Sequence, residues 1–211
     1  MRRIEIVAIG ALFGAVPVIG CFLAGWWISV FFLVPESWIF LYALAGFLVG
    51  VLVDVILLKA WIRRAYSMNP LVWMAVYLFY SIGMFGFFMG VPVFNVLLAV
   101  PAGSFVGGWL AQSGADSTRM KKAARLVAVF TTSVLALVCV ASASVALASP
   151  STPSEIQHML GLPFLVTPAM VIGIILCGGA LMLALQWWLA LTSVERAYRC
   201  LGARPSPSTS A

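Results

Sequence analysis

Three side chains inside the apolar stretches of this 211-residue chain carry groups that could bind or transfer something: Asp54, Asn95 and Gln186. Asp54 is the only acidic residue well inside a long apolar run. An ionised carboxylate in mid-membrane costs ~2.5–3.5 kcal/mol even on the lenient insertion scale, so such a group needs a partner or a task. The structural partner is a basic group, Lys59 or (after a bend) Arg63, or a hydrogen bond to a neighbouring helix. The functional alternative is a proton or cation site. Asn95 follows Pro92 near the outer end of its stretch. It either lines an outward-facing pocket or ties two helices together. Gln186, near the inner end of the last stretch beside Trp187 and Trp188, has the same two readings.

The remaining chemistry is sparse. His158 is the sole histidine, with Glu155 three residues before it. A metal site needs more ligands than this pair, and the bland reading is a solvated loop. Cys21, Cys139, Cys177 and Cys200 have no C-x-x-C spacing, so neither a zinc site nor a disulfide framework follows. There is no Walker A, no Rossmann glycine fingerprint, no H-E-x-x-H and no G-x-S-x-G. No catalytic residue, metal or cofactor is assigned. Pro17, Pro101 and Pro168 interrupt helical stretches, and proline kinks can free backbone carbonyls to hold ions or solutes.

What must position these groups is a set of membrane helices. The chain is 64% hydrophobic and 9% charged, against ~25% charged for a soluble domain. All twelve Lys and Arg fall in four clusters: Arg2/Arg3, Lys59/Arg63/Arg64, Arg119/Lys121/Lys122/Arg125 and Arg196/Arg199/Arg204. Between clusters there is room for two crossings of about 20 residues each. Basic loops stay on the cytoplasmic side. The expected fold is an all-α, polytopic integral membrane protein of six transmembrane helices, built as three hairpins with both termini inside. The net charge of +6 then belongs to cytoplasmic bands facing anionic headgroups, and nucleic acid is not an expected partner.

The expected spans are 6–27, 38–58, 71–89, 93–111, 126–148 and 162–191. The run from Ile6 to Val34 is too long for a cleaved signal segment, so it is taken as a retained span. Residues 28–34 form a greasy outer loop, an interfacial turn, or an extension of span 1. Residues 1–200 are expected to make a single membrane domain, and 201–211 a flexible polar cytoplasmic tail.

Small residues recur four apart at Gly10/Gly14, Gly46/Gly50, Gly86/Gly90 and Gly103/Gly107. Such pairs let two backbones approach, and Gly46, Gly50, Gly103 and Gly107 are the main packing candidates. Span 5 has a similar edge in Ser133, Ala136, Ala141, Ser144 and Ala148. Pro35 precedes Gly46/Gly50 by the same intervals as Pro92 precedes Gly103/Gly107, which hints at a duplicated hairpin. The run Gly46-x-x-x-Gly50-x-x-x-Asp54, with six spans and both ends inside, resembles the substrate-capturing subunits of energy-coupling-factor vitamin transporters. That resemblance covers one short run plus topology and carries no substrate residues across.

The leading functional expectation is a solute-transport or transport-complex subunit in the cell membrane, with a neutral or apolar small-molecule substrate. The alternative is a non-catalytic assembly or scaffold subunit that packs on a membrane-protein partner or a second copy. A membrane enzyme acting on lipid ranks third, because the catalytic groups are missing.

Overall fold

The computed structural model describes residues 3–88, 90–161 and 163–202. Its seven α-helices are α1 (Arg3–Phe31), α2 (Glu36–Arg64), α3 (Pro70–Phe87), α4 (Ala99–Gln112), α5 (Ser117–Ala148), α6 (Thr152–Leu160) and α7 (Pro168–Gly202). Two 3-10 segments, Ala65–Ser67 and Pro92–Leu98, complete the described elements, and no strand occurs among the described residues. Among the described residues six helical stretches are long and apolar enough to cross a membrane; the fourth joins Pro92–Leu98 to α4.

Local chemistry sets the boundaries. α1 runs on to Phe31, so residues 28–31 extend the first span. The turn after it contains Leu33, whose backbone is left-handed at φ 51°, and Pro35 is then the N-cap of α2. Asp116 caps α5, its carboxylate accepting from the Arg119 amide at 3.1 Å. α7 opens on Pro168, a residue suited to a helix start because its missing N–H is not needed there. Residues 163–167, expected in span 6, are not helical. At the other end α7 continues to Gly202, past the expected start of the tail. The rest of the tail, 203–211, lies outside the described residues, as do Arg2, Met89 and Arg204. The expected outer loop between α5 and α7 contains α6, which closes on Gly161 in the left-handed conformation at φ 60°.

The chain divides into two compact units, with the boundary between Phe79 and Tyr80 inside α3. The first unit is built on the α1–α2 hairpin. Its helices touch backbone to backbone. A Cβ on Gly50 would lie 2.6 Å from both the Pro17 carbonyl oxygen and Val18 Cα. Cβ atoms on Gly46 and Gly25 would collide with the carbonyls of Cys21 and Tyr42. Towards the basic end of the hairpin, Phe13 packs edge-on against Trp73 at 4.6 Å and beside Trp61 at 6.2 Å. Trp73 Nε1 donates to the Ala65 carbonyl at 3.2 Å.

In the second unit α4 packs against α7, and α5 packs against both. A Cβ on Gly103 would lie 2.7 Å from Ser193 Cβ and 2.9 Å from the Ala190 carbonyl oxygen. One on Gly107 would meet the Val194 carbonyl and sit 2.8 Å from Ala197 Cβ. The glycine pairs Gly46/Gly50 and Gly103/Gly107 thus line close contacts, each against a different kind of neighbour. The first pair meets the preceding helix; the second meets a helix far along the chain.

Two expectations about small residues fail. No described atom comes within 4 Å of a Cβ built on Gly86, and Gly90 serves a turn with φ 83°. On α5 the buried positions are Met120, Ala124, Ala128, Thr131 and Leu135, while Ser133, Ala141 and Ser144 are exposed. Helical periodicity from Ala124 selects the first set, and Ser144 satisfies its hydroxyl on the Val140 carbonyl of its own helix.

Candidate functional site

The fourth span is a broken helix. Its first part, Pro92–Leu98, is a seven-residue 3-10 run, longer than the three or four residues such helices usually reach. Pro101 supplies the reason. An α-helix running straight through would need an amide at position 101 for the Leu97 carbonyl, and proline has none. Pro101 instead falls in the first turn of α4, where a missing amide costs nothing.

Asn95 sits in this 3-10 run and is 1% exposed. Its amide Nδ2 donates to the Ser81 carbonyl at 2.8 Å and approaches the Ser81 hydroxyl at 2.9 Å. Asn95 therefore ties the fourth span to the end of α3, as one of its two readings required. The tie uses only the nitrogen. Asn95 Oδ1 is buried and has no hydrogen-bond partner.

One turn along the chain, Ala99 joins Ala128 of α5 and Ala190 of α7 in a cluster with no exposed surface. α4 and α7 run the same way through this cluster and α5 runs against them. One helical turn away from the basic end therefore leads from the three alanines to Asn95, Thr131/Thr132 and Gln186. Thr131 is 1% exposed and Gln186 is fully buried. The Thr131 hydroxyl lies 3.4 Å from the Ala128 carbonyl, while Thr132 Oγ1 is buried without a partner. The second unit thus carries a buried polar layer stacked on a layer of alanines. Below the alanines a second apolar cluster, Leu110, Ala115, Met120, Ala124 and Val194, continues to the basic end. There the Tyr198 hydroxyl donates to the Ala115 carbonyl at 2.6 Å.

Asn95 and Gln186 were expected near opposite membrane faces; α7 brings them to one level. α7 starts at Pro168, about 27 Å of helix before Gln186, whereas the fourth span starts at Pro92, only about 6 Å before Asn95. α5 likewise continues about 25 Å past Thr131. Counted along the helices, α5 and α7 therefore each run about 20 Å further from this layer than the fourth span does. Phe88 and Phe94 stack at 3.7 Å beside the turn between α3 and the fourth span.

Asp54 is elsewhere, in the first unit. Its Oδ1 is buried without a hydrogen-bond partner, and its Oδ2 lies 3.2 Å from where a Cβ on Gly14 would be. The expected ion pair with Lys59 or Arg63 is not formed; the one ion pair among the described residues joins Arg199 to Glu195. The cause is geometric. α2 runs unbroken to Arg64, which turns Lys59 about 140° and Arg63 about 180° away from Asp54. Glu155 accepts from the Ser151 hydroxyl at 2.6 Å within the α6 turn, and no group of three metal-ligating side chains occurs among the described residues.

Ser81 and Thr131 complete the polar layer and escaped the sequence reading. Each is a common residue in an apolar helix, and only burial distinguishes them. No family model matches the chain, and neither curated proteins nor solved structures give a match.

Proposed function

We propose that this chain is a multi-pass cell-membrane protein, with both termini cytoplasmic, that binds a small neutral solute as a transport subunit, alone or within a larger complex. The observation that carries the reading is the buried amide of Asn95, with Oδ1 left open to a donor. A buried acceptor without a partner costs ~1–3 kcal/mol, and a solute donating to it would recover that cost. Thr132 Oγ1 adds a second open polar atom at the same level. The alanine layer closes the path towards the basic end, so passage would require α4 and α7 to part along the Gly103/Gly107 contact. A bent, partly 3-10 fourth span is a suitable hinge for that motion.

Native mass spectrometry of the full chain from mild detergent tests this reading. The wild type should retain a small molecule that Asn95→Ala loses. A wild type free of small molecules that instead carries a partner chain would overturn it in favour of the scaffold reading. That second reading has one observation of its own. Gly173, Gly178 and Gly179 lie on the overhanging part of α7, and a Cβ on any of them would meet no described atom within 4 Å. They point in three directions around α7, and each leaves room for the close approach of a partner span.

A further inference from the structure

The start of α5 gathers like charges that its described neighbours do not balance. Residues 116–125 hold four cations, Arg119, Lys121, Lys122 and Arg125, and one acid, Asp116, whose carboxylate caps the helix. Of the elements packed against α5, α4 and Pro92–Leu98 carry no charged residue. On α7 Glu195 is already paired with Arg199, and Arg196 adds a further cation. All four α5 cations are exposed. Lys122 projects almost opposite the buried face of Met120, Ala124 and Ala128, with Arg119 and Arg125 about 60° to either side of it. Like charges three apart on a helix repel. The α5 dipole adds to that repulsion, whereas at the ends of α2 and α7 it favours the cations. Arg119 is placed over the Trp109 ring, 5.7 Å from its centroid.

The same face continues as apolar surface. Leu126, Val129, Ser133 and Leu137 follow Lys122 along it, and Leu126 and Leu137 are 70% and 71% exposed. From Leu126 to Leu137 the helix rises about 16 Å, close to the ~15 Å half-thickness of a bilayer's hydrocarbon core. We propose that this face of α5 binds one acidic phospholipid of the leaflet at the basic end. The phosphate sits at Lys122 between Arg119 and Arg125, and an acyl chain lies along Leu126 to Leu137. Charge complementarity selects the occupant. The three cations call for an anion, and whatever is attached to that anion must be apolar to lie against the surface that follows. A free phosphate satisfies only the first half. The inference concerns the second unit alone and stands apart from the solute reading.

Thermal melting of the full chain in mixed micelles tests it. Added phosphatidylglycerol should raise the melting temperature saturably, while phosphatidylcholine and inorganic phosphate at the same concentration should not. Lys122→Gln and Arg125→Gln should each raise the phosphatidylglycerol fraction needed for half the effect about fivefold. Lys59→Gln removes the same net charge at the end of α2 and should leave that fraction unchanged. Equal weakening by Lys59→Gln overturns the proposal, because net charge alone would then attract the lipid. So does an equal rise with inorganic phosphate, since the site would take a free anion, or with phosphatidylcholine, since the headgroup charge would go unread. Without acidic lipid, Lys122→Gln and Arg125→Gln should melt no lower than the wild type. A lower melting temperature would give the replaced cation a partner within the chain and remove the call for an anion.

Discussion

Gly50→Ala is the sharpest test of how the first unit holds together. The new methyl would lie 2.6 Å from the Pro17 oxygen and from Val18 Cα. Both neighbours are backbone, so no side chain can swing aside, and the helices must separate by about 1 Å to reach ordinary contact. A gap of that size forfeits a quarter to a half of each interhelical pair, at ~0.1–0.2 kcal/mol per pair. Over some 20 pairs along the Gly25, Gly46 and Gly50 contact the loss is roughly 0.5–2 kcal/mol, overlapping the usual range for overpacking. Alanine's better helix propensity offsets about 0.5–1 kcal/mol of this. The control is Gly86→Ala, where no described atom lies within 4 Å and only the propensity gain applies. The propensity gain is common to both variants, so they should differ by the packing loss, ~0.5–2 kcal/mol, with Gly50→Ala the less stable. Denaturant unfolding or thermal melting of the full chain in the same detergent reads the difference. Equal stability of the two variants would refute the packing argument, because it would mean that Gly50 lines no close contact.

Asn95→Leu should cost ~1–3 kcal/mol, because it removes the tie to Ser81 and fills the polar layer with an apolar group; unfolding measurements alongside Ser81→Ala would check that the two losses overlap. Tyr198→Phe should cost about 1 kcal/mol, and hydrogen exchange should rise in the turn at residues 113–116 that the hydroxyl holds. Asp116→Ala should destabilise the start of α5 by ~1 kcal/mol, with faster exchange at the Arg119 amide. For the proposed orientation, an impermeant thiol reagent on intact cells should label Glu36→Cys and Glu155→Cys but not Lys122→Cys, in a background without native cysteines; strong labelling at 122 would sink the topology.

The one-dimensional pattern of the chain determined how many apolar spans it forms and, for the first four, roughly where they start; α5 begins nine residues before the expected position, α7 six residues after it, and α6 lies in an expected loop. Apolar runs of spanning length can satisfy their amides only within themselves once in lipid, so helix count follows from composition. Pro35 and Pro92 act on their immediate neighbours and were readable for the same reason, whereas Pro168 was expected inside its span and the Asp116 cap was not read at all. The close-contact role of Gly46, Gly50, Gly103 and Gly107 was readable as well, since spacing of four puts each pair on one helix face. Which helix that face meets was not. Gly50 meets α1 across a short loop, while Gly103 meets α7 from far along the chain, and spacing carries no information about the partner. The same limit hid the polar layer. Asn95 and Gln186 stood out by type, but their depth depends on how far α7 overhangs the broken fourth span. Ser81 and Thr131 gain meaning only from burial beside them. Asp54 was visible as an isolated carboxylate, and sequence proximity suggested Lys59 and Arg63 as partners. The unbroken helix rotates both away and turns the carboxylate to Gly14, because on a helix the angle between two residues, more than their separation in sequence, decides whether they face each other.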